Sequence, residues 1–132
     1  MYLLDTIVLC EVLRRRPRDS VVERLRRTDP EMIHASIITF FEMRYGSMLR
    51  QDNERFWSRI ETEVVPLVTR IAIDEPVALE AGSVAATLRK SGRQIGLADS
   101  LIAACAIVHK LTLVTENLRH FERIQQLKCE VW

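Results

Sequence analysis

The sequence has too few cysteines and histidines, too widely scattered, to build a covalent or metal-bound framework. Cys10, Cys105 and Cys129 are odd in number and share no paired spacing, which excludes a disulfide scaffold and implies a reducing compartment, the cytoplasm. His34, His109 and His120 are equally dispersed, so a zinc site is not expected. Long apolar runs are missing as well. None approaches the ~20 residues of a membrane span, and Asp5 interrupts the first apolar stretch, so no signal peptide fits. A soluble protein without membrane contact is expected. Internal repeats, low-complexity tracts and linkers are also absent, and a chain of 132 residues is long enough for one domain with a true core but short for two. The expected domain spans residues 1–132. A net charge of only +1 gives no global pull on a polyanion. The charge is unevenly spread, however, because Arg14, Arg15, Arg16, Arg18, Arg24, Arg26 and Arg27 crowd one short stretch. That run reads either as a phosphate-contacting patch or as solvated helix faces.

What the chain does have is centred on Gly96-Leu97-Ala98-Asp99-Ser100-Leu101-Ile102-Ala103-Ala104-Cys105-Ala106. A glycine and one carboxylate precede a run apolar on nearly every side, and a helix of that kind must be buried on most of its surface. Asp99 is expected at or near its N-terminus, where the dipole and free N–H groups favour an ionised carboxylate. Asp is also a preferred N-cap, so a cap and a functional acid both remain open from this segment alone.

Around it the chain alternates strand and helix. Met1–Leu4 reads as a buried parallel strand ending in Asp5-Thr6, and Ile7–Leu13 as a helix stopped by Arg14–Pro17. A second helix is expected over Val21–Arg27, capped by Asp19 or Ser20. Met32–Ala35 reads as the second strand, followed by Ser36 and Thr39. Thr39-x-x-Glu42 has capping-box spacing and would hold Glu42 in the first turn of the next helix. A helix over Ser58–Val65, a strand over Val68–Ile73 and a long helix from Asp74-Glu75-Pro76 to Lys90 follow. Leu111–Val114 is the fourth strand, Leu118–Ile124 a short helix and Lys128–Trp132 an edge strand. Such alternation implies right-handed crossovers and a three-layer α/β/α sandwich around a central parallel sheet.

In open sheets of this kind, sites form beyond the carboxyl ends of the strands. Asp5 closes the first strand, Glu42 follows the second, Glu116 and Asn117 close the fourth, and Asp99 heads a helix running back to that edge. Carboxylates gathered without a cationic partner repel one another unless they bind a proton or a cation. Hard oxygen donors suit Mg²⁺ or Mn²⁺, and such an ion can activate water and stabilise charge on a phosphoryl oxygen. The chemistry indicated is metal-dependent phosphodiester hydrolysis.

Four segments carry a resemblance: Leu3-Leu4-Asp5-Thr6, Ser36-Ile37-Ile38-Thr39-Phe40-Phe41-Glu42, Gly96 to Ala104, and Leu113-Val114-Thr115-Glu116-Asn117-Leu118-Arg119-His120-Phe121. In their order and spacing the chain resembles the PIN-domain nucleases, and within them the VapC-type toxins of bacterial toxin–antitoxin pairs. The resemblance implies a Mg²⁺- or Mn²⁺-dependent endoribonuclease acting on RNA, a homodimer silenced by a VapB-like antitoxin protein. It places Asp5, Glu42 and Asp99 on the family's acidic metal positions and Thr115 on its hydroxyl position. Thr6 and Ser36 become hydroxyls that orient those carboxylates. An antitoxin Arg or Lys entering the cluster would displace the metal, with a groove lined from the Ile7–Leu13 and Phe41–Leu49 helices.

The chain departs from the family pattern at Ile7, where Asn is common, and at Asn117, which stands at an often acidic position. His120 occupies the place where some relatives carry an acid. Asn117 can ligate through its carbonyl oxygen but brings no charge, so one tightly held ion is expected rather than two. These departures keep open a catalytically weak module that binds antitoxin or RNA, and the same acidic cluster would also serve a DNA nuclease.

Overall fold

Five short parallel strands carry the fold, in a computed structural model that describes residues 1–132. In chain order the elements are β1 (Tyr2–Leu4), α1 (Thr6–Cys10), α2 (Asp19–Arg27), β2 (Ile33–Ser36), α3 (Ile37–Met48), α4 (Asn53–Arg59) and β3 (Thr69–Ile71). Then come α5 (Glu75–Lys90), α6 (Leu97–Val108), β4 (Thr112–Val114), α7 (Leu118–Phe121) and β5 (Cys129–Glu130). The strand order is β3-β2-β1-β4-β5. The order therefore grows outward from β1 in one direction and then, from β4 on, in the other. The crevice at such a reversal lies beyond the carboxyl ends of the strands, here those of β1 and β4. Their register pairs Leu3 with Leu113 and Leu4 with Val114, so Asp5 and Thr115 leave the sheet side by side.

Alternation along the strands divides the core in two. Leu3 and Leu113 face a layer built from Val77, Ala81 and Leu88 of α5 with Ile102–Ala106 of α6 and Phe121 of α7. Leu4 and Val114 face Val8 and Leu9 of α1, Val21 of α2, and Phe40 and Met43 of α3. The period of two in a strand sends neighbours to opposite faces, and helices cover both, giving the expected α/β/α sandwich. Residues 102–106 are fully buried, as an almost wholly apolar helix requires.

Several boundaries differ from expectation for local reasons. The first helix turns 3₁₀ at Glu11–Leu13, and α2 starts at Asp19 behind Arg18, so neither Asp19 nor Ser20 is its cap. The helix expected from Ser58 begins earlier, at Asn53, and winds into a π turn over Ile60–Val64. The last helix stops at Phe121 rather than Ile124. Asp74 caps α5 by accepting from Val77 N at 3.1 Å, with Pro76 in the first turn, where a missing N–H costs nothing. Cys105 and Cys129 are packing residues, and burial pushes each thiol up to about 11. Trp132 is likewise buried, edge-on to Tyr2 at 5.2 Å.

Candidate active site

Asp5 ends β1 and is the N-cap of α1. Its Oδ1 accepts from Thr6 N at 2.7 Å, and its Oδ2 accepts from the Thr115 hydroxyl at 2.8 Å. Thr115 is fully buried and its Oγ1 in turn accepts from Asn117 N at 3.0 Å. Both carboxylate oxygens of Asp5 are thus fixed, one by the start of α1 and one by the residue that follows β4. Burial nevertheless raises its pKa, against the two hydrogen bonds that lower it, and Asp99 raises it further.

Glu42 arrives from α3. The capping box expected with Thr39 does not form, because α3 starts three residues earlier behind Ser36, whose Oγ accepts from Ile38 N at 3.2 Å. Thr39 is therefore an interior residue of the helix, buried with an unpartnered hydroxyl. Glu42 falls in the second turn and is released from capping to reach α1, where its Oε2 accepts from the Thr6 hydroxyl. Burial first, then the charges of Asp5 and Asp99, raise its pKa against that bond.

Asp99 is the third residue of α6, behind the N-cap Gly96, and caps nothing. Its Oδ2 lies 2.8 Å from His120 Nδ1, and Asn117 Nδ2 stands 2.7 Å from the same nitrogen. One imidazole nitrogen cannot donate to a carboxylate and also accept from an amide. An ionised carboxylate only accepts, so Nδ1 carries the proton and the Asn117 amide turns its oxygen toward it. Such amide orientations are assigned from the network. His120 thereby fills, by contact, the place its sequence position left open. The signal lay in Asn117-x-x-His120, since residues three apart share a helical face.

The structure brings Asp5, Thr6, Glu42, Asp99, Thr115, Asn117 and His120 to one edge. Ser36 is at the end of β2, but its hydroxyl caps α3 and makes no hydrogen bond to a carboxylate. Ile7 is 44 % exposed in the first turn of α1, an apolar lip beside Asp5. Glu116 points elsewhere and pairs with Arg18. That pair belongs to a network with no signal in the sequence. Glu11 is fully buried, with Arg14 Nη1 at 2.7 Å from Oε1 and Arg18 N donating to Oε2 at 3.1 Å. This buried acid folds the arginine loop back.

No lysine or arginine forms an ion pair with Asp5, Glu42 or Asp99. Their mutual repulsion is relieved by the Thr6 backbone N–H, two hydroxyls and one imidazole. As they stand, Thr6 holds Glu42 and His120 holds Asp99, and no three His, Cys, Asp or Glu side chains converge on one point. The donor set itself, three mutually repelling carboxylates with an amide beside them, fits a hard divalent cation.

Residues 2–127 match the family model of the PIN domain. The chain is 32% identical over 133 residues to a ribonuclease of Haemophilus influenzae (strain R2866), VapC1, covering 100% of this chain and 98% of that one. It is 34% identical over 134 residues to the tRNA(fMet)-specific endonuclease VapC of Shigella flexneri, covering 99% and 97%. Among solved structures, a chain in the crystal structure of FitAcB from Neisseria gonorrhoeae matches with a TM-score of 0.88 at 32% identity, covering 98% of this chain and 96% of that one.

Proposed function

The chain belongs to the PIN-domain family, among its VapC-type ribonucleases, and from that membership we propose that it is a metal-dependent endoribonuclease, the toxin of a toxin–antitoxin pair. The observation that carries the reading is the gathering of Asp5, Glu42 and Asp99 at the β1/β4 reversal with no lysine or arginine paired to them. Residues of those types in that setting would hold Mg²⁺ or Mn²⁺, with Asn117 offering a carbonyl oxygen. When bound, the ion supplies charge for the phosphoryl oxygen and lowers the pKa of a water.

The chain's own side chains do the rest. Thr115 and Thr6 N orient Asp5 so that one face of its carboxylate is already committed. Glu42, with a raised pKa and one hydroxyl donor, is suited to take a proton from an attacking water. His120 and Asn117 set the rotation of Asp99. One tightly held ion fits a cluster of three carboxylates.

The partner protein is an antitoxin, as the structural relatives are toxin–antitoxin complexes. Most apolar residues of α1 belong to the core, whereas Ile37, Phe41, Tyr45, Met48 and Leu49 form an exposed stripe along α3, Phe41 and Leu49 being 64% and 72% accessible. That stripe supports contact with the antitoxin or a second copy. No helix is long and apolar enough to cross a membrane. The test is cleavage of defined RNAs in Mg²⁺, Mn²⁺ or EDTA, beside Asp99→Asn. Cutting that needs metal and disappears in the variant is expected. Equal inertness of both proteins in every condition would return the assignment to a binding module.

A further inference from the structure

A second feature lies one helical turn from the acidic edge. Between the end of α1 and the α3–α4 turn is an open cavity of about 580 Å³ whose walls carry four arginines, Arg14, Arg50, Arg55 and Arg59, and one carboxylate, Asp52. Cavities of this size are typical of ligand sites. Cys10 lines it, and Cys10 follows Thr6 by four residues, about 6 Å along the same helix face. Thr6 is the residue that holds Glu42. The Cys10 thiol feels both neighbourhoods, since Arg14 lowers its pKa while Glu42 and Asp5 raise it, beneath a larger effect of burial.

The arginines differ in what they have left to offer. Arg59 is spent, with Nε and Nη2 on Glu63 at 2.7 and 2.9 Å and Nη1 on Leu13 O at 3.0 Å. Arg50 is fixed rather than spent: Nε and Nη2 bond Asp52 at 2.7 and 3.0 Å, and its guanidinium lies 4.2 Å from the centre of the Phe56 ring. That leaves Nη1 uncommitted on a rigid fork. Arg14 uses Nη1 on Glu11. Arg55 is exposed and has no carboxylate partner. A guanidinium has five donors, so one carboxylate does not exhaust it.

We propose that this cavity is a phosphate subsite for the polynucleotide backbone, in which Arg14, Arg50 and Arg55 hold phosphates next to the one at the carboxylates. The inference rests on the ribonuclease reading. A strand brought to three carboxylates is repelled by them, and adjacent guanidiniums at one helical turn offset that repulsion for the flanking phosphates. Sequence-independent contacts of this kind fix register and affinity rather than base preference. An acidic peptide would satisfy the same guanidiniums, but the array continues from a phosphodiester-cleaving edge, which favours the nucleic acid.

The experiment measures binding of a labelled single-stranded RNA of about 20 nucleotides to the full chain in EDTA across a salt series, for wild type, Arg50→Ala/Arg55→Ala, Arg50→Lys/Arg55→Lys and the exposed control Arg26→Ala. Each single-strand phosphate contact contributes a slope of about 0.7 in log K against log salt. The double alanine variant is expected to lose about 1.4 from that slope and at least ~10-fold in affinity, with the lysine pair retaining the slope and Arg26→Ala unchanged. In Mn²⁺ it should raise KM for RNA with kcat retained. Unchanged RNA affinity and slope overturn the inference, as does loss of polyglutamate binding with RNA binding intact. If wild type cuts RNA while the slope is unchanged, only this inference falls. If wild type cuts none in Mn²⁺, the ribonuclease reading falls with it.

Discussion

Replacing Thr115 by Val tests how the sheet edge tunes Asp5. The two side chains have nearly the same shape, and Thr115 is fully buried, so packing is conserved while one hydroxyl is removed. Two bonds depend on that oxygen: it donates to Asp5 Oδ2 at 2.8 Å and accepts from Asn117 N at 3.0 Å. A hydrogen bond to a charged group contributes about 1.5–3 kcal/mol, and the half-exposed Asn117 can turn to water, so a destabilisation of roughly 2–3 kcal/mol is expected. The second consequence concerns protons. Burial raises the Asp5 pKa and the Thr115 hydroxyl opposes it, so the valine variant must raise it further. Metal binding needs the deprotonated form, and loss of an orienting partner costs ~10–100-fold in metal affinity. Mn²⁺ titrations followed by calorimetry across pH, with Thr115→Ser as the restoring control, should show weaker binding and a midpoint moved to higher pH in the valine variant only. Unchanged affinity and midpoint in Thr115→Val would refute the role given to this hydroxyl.

Asp5→Asn in the metal-free protein gives a stability readout. The folded pKa of Asp5 lies above its ordinary value, so as pH rises the unfolded chain releases this proton first and the folded state loses stability until the folded pKa is passed. The variant should therefore melt higher than wild type at neutral pH and match it below pH of about 4, while Mn²⁺ at ~100 times its Kd should add about 2.7 kcal/mol to wild type alone. A variant that melts lower at neutral pH would contradict this. Glu11→Gln weakens the clamp on the 14–18 loop. Gln can still accept from Arg18 N, and the arginines can rehydrate, so a loss of about 1–3 kcal/mol in denaturant unfolding is expected, and an unchanged midpoint would deny Glu11 that role.

The layers of the fold were legible because the local signals agreed with one another. Residues 102–106 have no polar face, Asp74-Glu75-Pro76 is a helix start in every respect, and β1, β2 and β4 run out into Asp5, Ser36 and Thr115 at one edge. The arrival of Asp5, Glu42 and Asp99 at one edge of the sheet followed from that topology. What could not be read were partnerships that depend on a shift of a few residues or on distant contacts. Ser36 rather than Thr39 caps α3, and that displacement frees Glu42 for Thr6. Asp99 looked like a cap and instead meets His120 across 21 positions of sequence. Glu11 sits among arginines whose spacing alone cannot say that it is buried. The four-arginine cavity is assembled from residues 10–14 at the end of the first helix and residues 50–59 of the α3–α4 turn and α4, segments about 40 residues apart.

The most direct measurement is Mn²⁺ binding to wild type, Asp5→Asn and Asp99→Asn at neutral pH, read by calorimetry and paired with RNA cleavage on the same preparations. One ion per chain in wild type, lost together with cleavage in both variants, is the result expected of three carboxylates gathered to hold a cation. Cleavage that persists in both variants, or that proceeds in wild type without any bound ion, would contradict it.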